Sequence, residues 1–174
     1  MKKIIALVLA AMMLTLVGAA MAENPSKGGG DFNKAETNND FVFGFSDKEE
    51  LVAWANEELA KMAEAEGVAA FFGKADEIAA ILGDGELTVN EMLPVYAENY
   101  EESMGEQEIE LAFATPYEKD ADVAIMLGFK GEEAVEWSAF AGKVLDDSKI
   151  LFKLDPATIL KVQENFALLA VISK

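Results

Sequence analysis

Two hydrophobic periods divide the chain. Between residues 46 and 64 the apolar positions Leu51, Trp54, Ala55, Leu59 and Met62 recur at three and four residues, while Glu50, Glu57, Lys61 and Glu64 fall largely on the other side of the wheel. Ser46 followed by Glu49 has the form of a capping box, so the pattern predicts a helix starting at Ser46 with one face docked. Gly67 and Gly73 interrupt it, and two shorter helical stretches are expected over 68–72 and 76–82 before Gly83 and Gly85 end the helical part.

From Leu87 the period drops to two. Leu87 and Val89, then Ile109, Leu111 and Phe113, then Val123, Ile125, Leu127 and Phe129 alternate with polar or small neighbours. Val135, Trp137 and Ala139 do the same opposite Glu136 and Ser138, as do Ile150, Phe152 and Leu154 opposite Lys149 and Lys153. These are expected to be half-buried strands, joined by turns at Thr115-Pro116-Tyr117, Lys130-Gly131 and Asp146-Asp147-Ser148. Ahead of the helix, Phe41, Phe43 and Phe45 alternate with Val42 and Gly44. They predict a short edge strand or arm packed on the domain; the functional alternative is a segment that adds itself to a partner's sheet.

Asp155-Pro156 supplies a cap and a first helical position for a short helix over 157–163. The closing run 166–172 is apolar at every position, which suits a strand covered on both faces. One cover is the β core; the other is expected to be the apolar stripe of the first helix. The fold class expected is therefore α+β, with amino-terminal helices (46–83) packed on an antiparallel, sandwich-like β domain (84–174), the two forming one unit.

The amino terminus reads differently. Met1-Lys2-Lys3, an apolar run over 4–20 and the exit Ala20-Met21-Ala22 have the layout of a secretory signal peptide, so residues 1–22 are expected to be removed and the product exported, to a periplasm or outside the cell. Residues 23–45 are expected to form a flexible leader and the short Phe41-to-Phe45 arm, because 23–40 holds a Gly28-Gly29-Gly30 run and one large apolar group, Phe32. No second long apolar stretch follows, so no integral span is expected after cleavage.

Charge narrows the function. The chain carries 32 acidic residues against 14 basic ones, net −18, and the leader removes two lysines and no acid. Such a surface repels phosphates, so nucleic acid is not an expected partner. All the basic residues are Lys, and there is no His and no Cys. Imidazole bases, thiol nucleophiles, thiolate metal sites and disulfides are excluded by that inventory. A core of roughly 150 residues needs no disulfides to hold it.

Several groups invite chemistry and are better read plainly. Asp84-Gly85-Glu86-Leu87-Thr88-Val89-Asn90-Glu91 resembles the second half of an EF-hand loop, with Glu91 at the bidentate end, but Ala80 and Leu82 stand where the first two ligands belong. A turn into a strand is expected there. Glu98, Glu101, Glu102 and Glu106 lie near Tyr96 and Tyr100 and read as a solvated acidic loop. Trp54 and Trp137 sit on apolar faces and read as core, a sugar platform being the alternative. Ser138 and Ser173 have no His to activate them, Lys149 and Lys153 balance local acid, and no carboxylate stands in an apolar setting on both sides.

Phe113-Ala114-Thr115-Pro116-Tyr117-Glu118-Lys119, Glu136-Trp137-Ser138-Ala139-Phe140 and the ending Ala167-Leu168-Leu169-Ala170-Val171-Ile172-Ser173-Lys174 resemble small exported proteins of anaerobic gut bacteria. The likeness extends back through Asn90-Glu91 to Trp54-Ala55-Asn56, over most of the mature chain. That family has no established activity. The resemblance implies an exported helix-plus-β domain and adds no chemistry. The function expected is a non-catalytic exported binding or interaction module for a protein or glycan. A small carboxylate-dependent hydrolase acting on glycans and a weak calcium-dependent module are the alternatives. No catalytic, cofactor-binding or metal-binding residue is assigned.

Overall fold

The computed structural model describes residues 41–174, apart from Thr115, Asp147 and Ser148. The segments expected to be a signal peptide (1–22) and a leader (23–40) lie outside the described residues, as do parts of two of the expected turns. The elements run β1 (Val42–Phe45), α1 (Glu49–Glu64), α2 (Val68–Phe72), α3 (Ala75–Leu82), β2 (Thr88–Glu98), β3 (Gln107–Ala112), β4 (Asp122–Lys130), β5 (Val135–Val144), β6 (Lys149–Leu154), α4 (Pro156–Asn165) and β7 (Ala167–Ser173). The seven strands form one continuous antiparallel sheet in the order β1-β2-β7-β4-β5-β6-β3.

The class is α+β as expected, but the sheet is a single curled layer, almost a barrel. Gly142 shows why it bends at β5: a Cβ there would stand 2.9 Å from Val123 and 3.2 Å from Ile150, so only glycine lets β4, β5 and β6 cross this closely. β5 pairs with β4 from Val135 to Lys143 but with β6 only over its last three residues, Gly142 to Val144. The two ends of the sheet then meet through aromatic rings. Phe43 of β1 stands edge-on to Phe152 of β6 at 6.2 Å, and Phe45 to Phe113 beyond β3 at 5.4 Å.

Nor are the helices all amino-terminal. β1 precedes them, and α4 lies between β6 and β7. Asp155 caps α4 by accepting from the Thr158 N–H at 3.0 Å, with Pro156 at the first position, as the sequence predicts. Ile159 and Val162 of this helix enter the inner core, and Gln163 bonds both backbone groups of Tyr100, so α4 closes the lower end of the curl. α1, α2 and α3 instead cover the outer face of β2, β7, β4 and β5.

β7 is buried at every position from Ala167 to Ile172, between β2 and β4. Ala167, Leu169 and Val171 face the inner core; Leu168, Ala170 and Ile172 face the helices. The outer cover is wider than expected, because Phe72 of α2 and Ile78 of α3 join Ala55, Leu59 and Met62 of α1. Among the described residues no helix is long and apolar enough to cross a membrane.

The capping box does not form. α1 starts at Glu49 with Lys48 at the cap and no side-chain cap bond. Ser46 continues β1 instead: its N–H donates to the Pro94 carbonyl at 2.9 Å, and its hydroxyl accepts only from Lys48 N at 3.4 Å. Pro94 is tolerated inside β2 because its missing N–H faces the side on which β1 has just ended.

Candidate functional site

The upper end of the curl, where β2 begins and β7 ends, carries the features that packing alone does not account for. β2 pairs with β7 in register except at Asn90, where one extra residue makes a β-bulge between the Val89–Ile172 and Glu91–Val171 pairs. Without the bulge Val89 and Glu91 would share a face. With it, Val89 packs under the helices while Glu91 lies beside Val171, on the side that faces the inner core. Asn90 is anchored to the neighbouring strand, its side-chain N–H donating to the Ser173 hydroxyl at 2.7 Å. A carboxylate, 5% exposed, is thus placed in the mostly apolar interior.

Above it lies the segment joining β3 to β4. Phe113 and Tyr117 stand edge-on to each other at 6.1 Å and both belong to the inner core. The turn behind them is tied to β5: Asp120 N–H donates to the Val144 carbonyl, and Val144 N–H to the Ala121 carbonyl, at 3.1 and 3.0 Å. Asp120 takes a left-handed conformation (φ 63°), which Asp tolerates better than most residues. Tyr117 is 9% exposed, and among the described residues its buried hydroxyl has no hydrogen-bond partner. Burial first, and the Glu91 charge second, push the phenol well above its ordinary range, so it remains a neutral O–H.

Tyr117 also lines a cavity of about 310 Å³. Ile81 and Leu82 from the end of α3, with Ala121 and Val123, give it apolar lining; Glu118, Asp122, Ser173 and Lys174 are polar. Asp122 pairs with Lys143 at 3.0 Å. The Lys174 side chain runs along the Gly83 and Gly85 turn, so close that a Cβ on Gly85 would stand 3.1 Å from its Cε. The volume suits a small ligand or one side chain of a larger one.

The residues weighed from sequence fall in different places. Asp84 is exposed in the turn before β2 whereas Glu91 is buried in the strand, and among the described residues no group of three or more His, Cys, Asp or Glu side chains is placed to hold a metal ion. Glu98, Glu101, Glu102 and Glu106 are exposed, as expected. Tyr96 and Glu98, however, belong to the end of β2, and Tyr100 is buried with its hydroxyl donating to the Gly105 carbonyl at 2.6 Å. Trp137 is core, against Phe72; Trp54 is half-buried. Lys149 pairs with Glu110 at 2.6 Å and Lys153 with Glu108 at 3.0 Å, the balancing role read for both.

Sequence reasoning missed Glu91 as a buried group. The expectation that no carboxylate has an apolar setting is corrected by it, and the only available signal was Asn90, a polar residue breaking the alternation just before an acidic one. No family model, no curated protein and no solved structure matches this chain.

Proposed function

We propose that this chain is an exported, non-catalytic binding module whose ligand sits in the cavity at the upper end of the sheet. The observation that carries the reading is the cavity itself, about 310 Å³ with apolar lining from Ile81, Leu82, Ala121 and Val123 and polar groups from Glu118, Asp122, Ser173 and Lys174. The acyl-transfer and metal chemistries that need His or Cys are closed to this chain, whereas recognition needs only shape and a few polar groups.

The carboxylate-dependent hydrolase is the second reading, favoured by Glu91 alone. A carboxyl group in an apolar setting is the kind used as a proton donor on glycans. One experiment separates the two. A small-molecule mixture is titrated into the mature domain while its amide and methyl signals are followed by NMR, and glycan hydrolysis is assayed in parallel. Shifts concentrated on Leu82, Tyr117 and Val123 without turnover support the binding module. Hydrolysis abolished in Glu91→Gln overturns it.

A further inference from the structure

We infer that the lower half of β5 is a docking edge, to which an extended basic segment of a partner protein adds as a further strand. The hydrogen-bond phase of β5 is set at both ends. Gly131 N–H donates to the Ala134 carbonyl at 3.0 Å, and Val144 N–H to the Ala121 carbonyl at 3.0 Å, so Ala134 and Val144 face β4. The register with β4 runs unbroken from Val135 to Lys143, and successive residues of a strand turn their backbone groups to opposite sides. Even-numbered positions therefore bond to β4, while Val135, Trp137, Ala139 and Ala141 turn their N–H and C=O groups the other way. β6 meets that side only from Gly142 to Val144. Among the described residues nothing bonds the outward backbone groups of those four.

Open sheet edges are normally blunted, and the two terminal ones here are. β1 is only 4 residues long, and β3 places Glu108 and Glu110 along its length. The stretch from Trp137 to Gly142 has neither a charge nor a Pro. Trp137 and Ala139 belong to the helix-covered layer and Ser138 is exposed on the other face, so an added strand meets apolar neighbours on one face and water on the other. Charge selects the occupant. Glu132 and Glu133 are exposed in the turn that opens β5, and among the described residues neither is in an ion pair. Glu136 is paired with Lys161 of α4 at 3.5 Å. On the far lip, where β6 continues past Phe152, Lys153 is shared between Glu106 and Glu108. The surplus is negative and favours Lys or Arg beside the added strand. A second copy, net −18 like the first, is repelled.

The protein is titrated with the acetylated and amidated peptide Thr-Val-Thr-Val-Thr-Lys-Lys while backbone amide exchange is read by NMR. Before peptide is added, the Trp137, Ala139 and Ala141 amides are expected to exchange faster than those of Ser138 and Phe140, which bond to β4. Peptide at about ten times its dissociation constant is expected to slow the outward amides about tenfold and to leave Ser138 and Phe140 unchanged. The same peptide ending in Glu-Glu is expected to bind about three- to tenfold more weakly. Methylating the backbone nitrogens of one alternate set of peptide residues is expected to abolish binding and methylating the other set to spare it, because an added strand turns only one set to the edge. Ala139→Pro removes an outward N–H that β4 does not use, and is expected to weaken the peptide about tenfold in a protein that still melts cooperatively. If that variant fails to fold, the methylated peptides carry the same test on the wild-type protein. Equal binding of the Lys and Glu peptides, tolerance of methylation on both sets, or no binding at all overturns the inference. So does dimerisation in sedimentation that protects the outward amides without peptide, which assigns the edge to a second copy. None of these outcomes bears on the cavity at the upper end.

Discussion

The Trp137 ring fills the space that a side chain on Gly128 would need. The two residues are paired across β4 and β5, and a Cβ on Gly128 would stand 2.6 Å from the indole. The ring meets Phe72 of α2 edge-on at 4.7 Å, so the glycine on one strand seats the helix layer over the next. Gly128→Ala is expected to destabilise the fold by about 1–3 kcal/mol, the usual cost of overpacking. Gly67→Ala is the control, because a Cβ there meets nothing within 4 Å and the backbone is extended. Urea unfolding midpoints check the pair; equal midpoints would show that the indole moves aside freely.

Removal of residues 166–174 is expected to abolish cooperative folding. β7 joins β2 to β4, and its loss splits the sheet and uncovers both cores at once. Near-ultraviolet circular dichroism and thermal melting of the truncated chain are the readouts. A truncated domain with the wild-type spectrum and a cooperative transition would contradict the architecture.

Asp155 gives the lower end of the curl a pH dependence. The hydrogen bond from Thr158, first among the causes, holds this carboxyl below its usual range. A group whose folded value is lowered contributes its full stability above the unfolded value, about 3.9 for Asp, and loses it as pH falls through the folded value. Asp155→Ala is therefore expected to cost about 1 kcal/mol near neutral pH, as helix caps do, and progressively less below about pH 4. Melting of both proteins between pH 2 and 7 measures the difference. A gap that stays constant as the carboxyl is protonated would show that the charge plays no part.

How much of this was legible in sequence depends on the distance over which each feature is decided. Alternation marked most of the strands, and the fully apolar 166–172 run announced a strand covered on both sides, because burial leaves its mark on every second residue or on all of them. The Asp155-Pro156 start was equally readable, its cap being satisfied within one turn. Ser46 failed for the opposite reason. Its local pattern favoured a helix cap, but a carbonyl 48 positions later, on Pro94, took its N–H into the sheet. The curl was invisible because it depends on Gly142 meeting Val123 and Ile150 from other strands. The candidate site shared that fate: Glu91 turns inward only because Asn90 is an extra residue relative to β7, a relation between two strands that neither sequence carries alone.

The most direct test is binding at the cavity itself. A small-molecule mixture titrated into the mature domain is expected to shift the Leu82, Tyr117 and Val123 NMR signals saturably, without turnover of glycans. Signals at these residues that stay fixed, together with glycan hydrolysis that is lost in Glu91→Gln, would contradict the account.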